Sequence, residues 1–373
     1  MRSIKDVDVS GRKVFLRVDF NVPLKDGKIT DNNRIRAALP TIDYLVKNKA
    51  KVIIGTHLGR PDGKATPESS TLVVAEELAK LSKHHIVATD HITGTEVEEQ
   101  IRKMKEGSIL VLGNLRWHKE EESNDDEFGK VLASYADIYV NDAFAVSHRA
   151  NASVEAITHY MPSYAGFLLE TEVTTLGFLF ENPESPFVVI IGGAKVKDKA
   201  GVIRYLAEKA DKLLIGGAVA NTFLLANGTD VSKSLIEEDM VDECRAILDK
   251  FGSKIVLPID FIKEESDDGS FSILDIGQQA QIRYSSIVKE ANAIFINGNL
   301  GLTEDEKYQR GTKTVVEAIA ANGCGVKVAA GGDTVGFINK NGYDKGFSFI
   351  STGGGAALEF LAGEKLPGIE ALN

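Results

Sequence analysis

The chain is poor in the features that most readily betray a function. Of its 373 residues only two are cysteine, Cys244 and Cys324. They form neither a zinc spacing nor a CxxC pair, and two reduced thiols in a cytosolic protein are the expectation. Long apolar runs are missing: stretches such as Phe187–Ile191 fall far short of the ~18 residues that a membrane span needs. The opening residues Met1–Asp6 carry no apolar h-region, so no secretory signal is expected. Positive charge is in deficit, with 43 Lys and Arg against 54 Asp and Glu and a net charge of −11. That balance argues against a bulk nucleic-acid or anionic-membrane partner and leaves room only for local basic clefts. No GxxxxGK[ST], no GxGxxG after a strand, no HExxH and no GxSxG occurs. A P-loop, a dinucleotide fingerprint, a zincin helix and a nucleophile elbow are thereby excluded.

What is present is ordinary globular composition, 43% hydrophobic and 26% charged, in a chain long enough for two domains at ~100–200 residues each. Short β-branched runs alternate with helical patterns. Strands are expected at 13–18, 51–55, 109–112 and 138–140, then at 187–191, 212–215, 254–257, 293–296 and 326–329. Helices are expected between them, for example at 70–83, 96–106, 199–210 and 315–322. The strands are continuously apolar rather than alternating, which predicts parallel sheets covered on both faces. The fold expected is therefore α/β, two doubly wound parallel-sheet domains of Rossmann-like type. A helical pattern over 165–181 connects them, and the Pro-interrupted end, 363–373, is too short to do other than pack against something.

Open α/β sheets bind ligands beyond the carboxyl ends of their strands. In the first half those positions are cationic and polar: Arg17, Asp19 and Asn21 after the first strand, His57 and Arg60 after the second, Arg116 after the third, His148 and Arg149 after the fourth, with Arg34 and Arg36 nearby. A lone surface arginine means little. Four successive strand ends of this kind point to a small polyanion, because arginine presents paired donors to carboxylate and phosphate. In the second half the same positions are glycine-rich: Gly192-Gly193 running on to Lys195 and Lys199, Gly216-Gly217, Asn297-Gly298, Gly331-Gly332-Asp333-Thr334 and Gly353-Gly354-Gly355. Glycine turns opening helices offer backbone N–H groups to phosphate and suggest a nucleotide. Asp333 reads either as a helix N-cap or as a Mg²⁺ ligand.

Nine collinear stretches resemble phosphoglycerate kinase. They are LRVDFNVPL (16–24), RIRAALPTI (34–42), HLGRPDG (57–63), NLRWHKEEE (114–122), NDAFAVSHRA (141–150), GGAKVKDKAGVI (192–203), DKLLIGGAVANTFL (211–224), AAGGDT (329–334) and STGGGAALEFLAGEKLPGIEAL (351–372). The resemblance implies reversible phosphoryl transfer between 1,3-bisphosphoglycerate and Mg-ADP, a step of glycolysis and gluconeogenesis, by a cytoplasmic and usually monomeric enzyme. It implies a phosphoglycerate-binding domain over 1–164, an interdomain helix over 165–182 acting as a hinge, a nucleotide domain over 183–358, and a tail, 359–373, returning to the first domain. Asp19, Asn21, Arg34, His57, Arg60, Arg116 and Arg149 match the phosphoglycerate site, with Arg17 and His148 completing the patch. Lys195, Lys199, Gly217, Asn297, Glu304, Gly332, Thr334 and Gly353 match the nucleotide site, and Asp333 the Mg²⁺ ligand. Arg34, Lys199, Gly354 and Gly355 match the groups facing the transferred phosphoryl.

The sequence departs from the family pattern mainly on the nucleotide side. WNGPMGVFE stands here as Ile296-Asn-Gly-Asn-Leu-Gly-Leu-Thr-Glu304, so a loop-stiffening proline is replaced by Asn299 and a more mobile loop is expected. Ala218 replaces a glycine, Asn221 a tyrosine, and DIGPKT is Asp275-Ile-Gly-Gln-Gln-Ala280. Gly113, Asn151 and Ala357 are smaller changes. Tolerated variation and an altered base preference both remain open. Two further readings compete with an active kinase: a non-catalytic homologue that binds a polyanion, and a kinase for another carboxylate. Retention of Arg34, Lys195, Lys199, Glu304 and Asp333 speaks against the first, and the intact 16–24, 57–63 and 141–150 stretches against the second.

Overall fold

The computed structural model describes residues 1–323 and 325–373, so Cys324 lies outside the described residues. The chain divides into two compact units, one of residues 1–174 with 365–373 and one of residues 175–364. Each is built on a six-stranded, all-parallel sheet. In the first unit the strands are β1 (Lys13–Arg17), β2 (Lys51–Gly55), β3 (Ile86–Ala88), β4 (Ile109–Val111), β5 (Ile138–Asn141) and β6 (Ser163–Ala165), in spatial order β3-β4-β2-β1-β5-β6. In the second they are β7 (Phe187–Ile191), β8 (Lys212–Ile215), β9 (Ile255–Val256), β10 (Ala293–Asn297), β11 (Val326–Ala330) and β12 (Phe349–Ile350), in order β9-β8-β7-β10-β11-β12.

The central strands are buried along almost their whole length, as continuous apolar runs require. Val14, Leu16, Val52, Ile54 and Val140 share one core, and Val188, Ile190, Ile294 and Ile296 another. The expected fold class is the one found. Three expected strands are found unchanged, five differ at one end by one residue, and 254–257 keeps only its central pair. The edge strands β6 and β12 are two or three residues long and were not expected as strands. An antiparallel hairpin of Phe261–Glu265 with Phe271–Ile276 was not expected either.

Helix α1 (Asn33–Lys47) follows the first strand and carries Arg34 in its first turn; Pro40 lies inside it. Helix α2 (Phe167–Glu181) runs across the division between the units, which falls after Thr174. Its first turn is held by the first unit: Thr41 Oγ1 accepts from the Phe167 N–H at 2.9 Å, and the Asp142 carboxylate accepts from the Leu168 and Leu169 N–H groups at 2.9 and 3.3 Å. Its last turn belongs to the second unit, where the Phe180 ring meets Phe187 and Phe295 edge-on, both at 5.4 Å. The end of the chain packs in the first unit. Leu366 and Leu372 are buried there, the Gly368 N–H donates to the Ser147 carbonyl, and Asn141 Nδ2 donates to the Gly368 carbonyl. Among the described residues no helix is long and apolar enough to cross a membrane.

In the second unit Tyr284 crosses from a helix to the sheet. Its hydroxyl lies 2.7 Å from the Ile215 carbonyl and 2.8 Å from that of Val256, bridging the carboxyl ends of β8 and β9. Burial pushes its pKa far up, so it remains a donor. Tyr284→Phe removes that donor and leaves two buried carbonyls without it, at a cost of about 1–3 kcal/mol. Urea unfolding followed by circular dichroism should show the loss; an unchanged midpoint would refute the bridging role.

Candidate active site

The doubly wound order places a crevice where neighbouring strands connect to opposite sides. In the first unit it lies between β1 and β5. Backbone there is locked by side chains: Thr56 Oγ1 accepts from the Phe20 N–H at 2.9 Å, and Asn21 Oδ1 accepts from the Gly59 N–H at 2.8 Å. Asn114 ties the next loop down through its amide, to the Leu58 and Ser69 carbonyls at 2.7 and 2.9 Å. These bonds align the loops that carry Asp19, His57, Arg60 and Arg116.

Arg17 does not face solvent. It is 1% exposed, and its donors meet Ser153 Oγ at 2.8 Å, the Val18 carbonyl, His57 Nδ1 at 3.4 Å and Glu121 at 3.8 Å. Glu121 in turn accepts from Ser153 Oγ and N at 2.6 and 2.9 Å. Arg34 pairs with Asp19, and His57 Nδ1 lies 3.8 Å from that carboxylate. Arg116 is nearly buried, donating to the Gly59 carbonyl at 3.2 Å and facing Glu122 at 3.3 Å. Arg149 and Arg60 are exposed, and Arg149 Nε donates to His148 Nε2 at 3.1 Å. The expected residues therefore form a layered group: a buried base of Arg17, His57 and Arg116, then Arg34, then exposed Arg60 and Arg149. Asn151, one of the departures from the family pattern, is buried and donates from its amide to the Glu121 carbonyl at 3.2 Å.

Electrostatics follows from that layering. His57 is held well below its ordinary 6.5, first by burial and then by Arg17, Arg116, Arg34 and Arg149. His148 is also lowered, by burial and Arg149. Four guanidinium groups around neutral imidazoles leave an excess of positive charge at one sheet end. A cavity of 1020 Å³ elsewhere in this unit, beside Trp117 and His91, is lined by none of these arginines and has acidic walls in Glu68, Glu76 and Asp90.

The second crevice lies between β7 and β10. It is made of backbone at very close quarters. Gly193 N–H donates to the Asn299 carbonyl at 2.8 Å, the Gly217 N–H to that of Leu300 at 3.0 Å, and the Gly298 N–H to Thr334 Oγ1 at 2.7 Å. Gly298 has φ +95°, and a Cβ there would run into the Gly192 carbonyl, so no other residue fits. Lys199 precedes α3 (Ala200–Lys209) and rests its Nζ 2.5 Å from the Gly192 carbonyl. Burial pushes its pKa down to about 8, against the pull of Asp333 and Asp198. Helix α4 (Gly217–Ala226) opens at Gly217, α6 (Gly332–Lys340, after α5, Gln278–Lys289) at Gly332, and α7 (Gly355–Leu361) at Gly355.

Beside these turns is a cleft of 410 Å³. Gly193, Gly217, Glu304 and Asp333 line it, with Leu235, Pro258, Phe261 and Ile273 as apolar walls. Lys199 and Asn297 abut its glycine turns, Asn297 Nδ2 lying where a Cβ on Gly331 would go. Lys195 is exposed, and Gly353, Gly354 and Gly355 lie beyond β12; none of these four lines the cleft. The N-cap of α6 is Gly331, not Asp333, which stands inside the first turn with its carboxylate exposed. Asn299, in place of the usual proline, binds Thr303 Oγ1 through its amide at 2.7 Å while its carbonyl accepts from Gly193.

Sequence reasoning missed Glu121 and Ser153, which hold Arg17. Glu121 sat in a run of three glutamates that reads as a solvated face; only burial distinguishes it. It also missed Asp142, fully buried at the start of α2, whose carboxyl is pushed up to about 6 by desolvation.

His57 gives this site a pH signature. The unfolded chain takes up a proton near 6.5 that the folded chain refuses. Stability should therefore fall as pH drops below 6.5, and His57→Gln should remove part of that slope. Imidazole ¹⁵N NMR should show His57 neutral where ordinary histidines titrate. Titration of His57 near 6.5 would contradict the arginine-crowded geometry.

The chain has close counterparts in sequence and in fold. The family model for phosphoglycerate kinase matches residues 4–364. The phosphoglycerate kinase of Moorella thermoacetica is 45% identical over 387 aligned positions, covering 99% of this chain and 98% of that protein. That of Pseudothermotoga lettingae is 46% identical over 390, with 99% and 98% covered. Among solved structures, phosphoglycerate kinase from Pyrococcus horikoshii superposes with a TM-score of 0.89 at 36% identity, covering 100% of this chain and 98% of that one. The enzyme from Coxiella burnetii gives 0.86 at 35%, covering 99% and 98%. With its whole length matched in sequence and in structure, the chain belongs to the phosphoglycerate kinase family.

Proposed function

We propose that this kinase moves a phosphoryl group reversibly between the acyl phosphate of 1,3-bisphosphoglycerate and Mg-ADP, giving 3-phosphoglycerate and Mg-ATP. It would do so as a cytoplasmic monomer. The observation that carries the reading is the chemical contrast between two equivalent crevices. One presents guanidinium groups around His57; the other presents glycine turns, Lys199 and Asp333.

The carboxylate of 3-phosphoglycerate is already ionised at neutral pH, so its attack needs no general base. What remains is alignment and neutralisation of charge on the equatorial oxygens. In this reading Asp19 orients Arg34 toward the transferred group, while Arg60, Arg116 and Arg149 hold the phosphoglycerate with Asn21, His57 and His148. Arg17 acts from beneath as a positioning residue. Lys199 and Lys195 meet the nucleotide phosphates, with Gly217, Gly332, Thr334, Asn297, Gly353, Gly354 and Gly355 supplying close backbone approach. Glu304 takes the ribose. Transfer requires the two bound phosphates to be brought together and water to be kept from the acyl phosphate.

Asp333 suits a nucleotide-borne Mg²⁺. Among the described residues no cluster of three or more His, Cys, Asp and Glu could cage a metal, and Mg²⁺ characteristically takes one or two carboxylates, water and phosphate oxygens. When bound, Mg²⁺ supplies charge neutralisation on the phosphates. The burial that lowers Lys199 also makes its ammonium an effective partner for an incoming anion, since the surrounding dielectric is low.

A coupled assay with 3-phosphoglycerate and Mg-ATP should show turnover, with Mg-GTP run in parallel. Lys199→Ala should cost about 10²–10³ in turnover, the range for loss of one transition-state donor. No turnover from a folded protein that still binds 3-phosphoglycerate would overturn the reading in favour of a non-catalytic homologue.

A further inference from the structure

Two side-chain amides in the nucleotide cleft carry oxygens with no hydrogen-bond partner, those of Asn221 and Asn299. Both residues are more than nine-tenths buried, at 1% and 6% exposed. A buried amide oxygen left unpaired is costly, so each invites a ligand that completes it. The two differ in how firmly they are oriented. Asn221 Nδ2 donates to the Leu235 carbonyl at 3.2 Å. A carbonyl can only accept, so the amide nitrogen must face it and the oxygen is the open atom. Asn299 pairs with a hydroxyl, which can donate or accept, so its open atom is not determined.

The partner of the Asn221 oxygen must be a donor, which excludes ionised phosphate. The residue also stands one helical turn beyond Gly217 on α4, about 6 Å from the phosphate-facing turn. Its surroundings are apolar. Leu235, whose carbonyl holds the amide, leaves its side chain 63% exposed while lining the cleft, and Phe261 and Ile273 line it too. An exposed leucine beside a buried, unpartnered acceptor suits a flat heterocycle with an N–H at its edge.

We propose that Asn221 is a base-specificity residue: its Oδ1 accepts a hydrogen bond from the 6-amino group of a purine stacked on Leu235. The site thereby selects adenine over purines that lack this donor. The inference rests on the nucleotide reading of the cleft and sharpens it.

Titration calorimetry of the full chain tests it with Mg-ATP and with the Mg complex of purine riboside 5′-triphosphate, in which hydrogen replaces the 6-amino group. The parent protein should bind the analogue about 10–100-fold more weakly, the ratio that one unpaired buried acceptor imposes. In Asn221→Leu the ratio should collapse to near one, with thermal melting confirming a folded protein. Equal affinity of the parent for the two nucleotides overturns the assignment while leaving the nucleotide site intact, as does a ratio that survives in the variant. Failure of Mg-ATP itself to bind overturns the nucleotide reading and the inference together. Should the variant not fold, the parent's ratio decides alone. In turnover, the analogue should raise KM and leave kcat near its ATP value, because the lost contact is remote from the phosphoryl group.

Discussion

A guanidinium can be buried only if nearly all of its donors find partners, since the desolvation of an unpaired charge costs several kcal/mol. Arg17 meets that condition at the carboxyl end of the central strand of the first unit. Ser153 and Glu121 close the network from a loop and a one-turn helix far along the chain. The consequences spread outward. Three separate segments are pinned at one sheet end, His57 is held neutral, and the fixed positive charge lies beneath the crevice rather than in it. A charge placed there can bias an anion without being quenched by water. The upper arginines, Arg60 and Arg149, stay exposed, while the layer below is fixed by its partners.

The second unit solves the equivalent problem without buried arginine. Its crevice is shaped by backbone approach, so that N–H and carbonyl groups of different strands interlock through Gly193, Gly217 and Gly298. Lys199, half-buried in that crevice, leans on a carbonyl and on the more distant pull of Asp333, and its charge is correspondingly easier to lose. The division is chemically sensible. Guanidinium forks suit a small, rigid carboxylate-phosphate, whereas close backbone turns suit a flexible chain of phosphates.

Much of this was legible in the sequence. Continuous apolar strands announced parallel sheets, and the residues after each strand announced two chemically different crevices. What was not legible has physical causes. Helix α1 was not read as a helix, and Pro40 sits in its middle, where a proline ordinarily argues against one. Strands β6 and β12 are too short to show a period. Asp333 was open between cap and ligand because a cap is a matter of dihedral angles: Gly331, at φ +94°, takes that place. Glu121 and Glu122 are neighbours of identical type, yet one is buried and the other half-exposed. Asn221 was visible only as a departure from a pattern. Its meaning needed the Leu235 carbonyl, fourteen residues away.

The discontinuity of the first unit has a consequence for how the protein is made. Residues 365–373 complete a unit whose other parts lie within residues 1–174. During synthesis the Asn141 amide and the Ser147 carbonyl emerge early, but the Gly368 groups that satisfy them emerge only after the whole second unit. The first unit must wait, nearly assembled and with an apolar seat for Leu366 and Leu372 uncovered, while its neighbour is translated. Residues 365–373 act as a latch that the first unit can close only once the second unit has been translated.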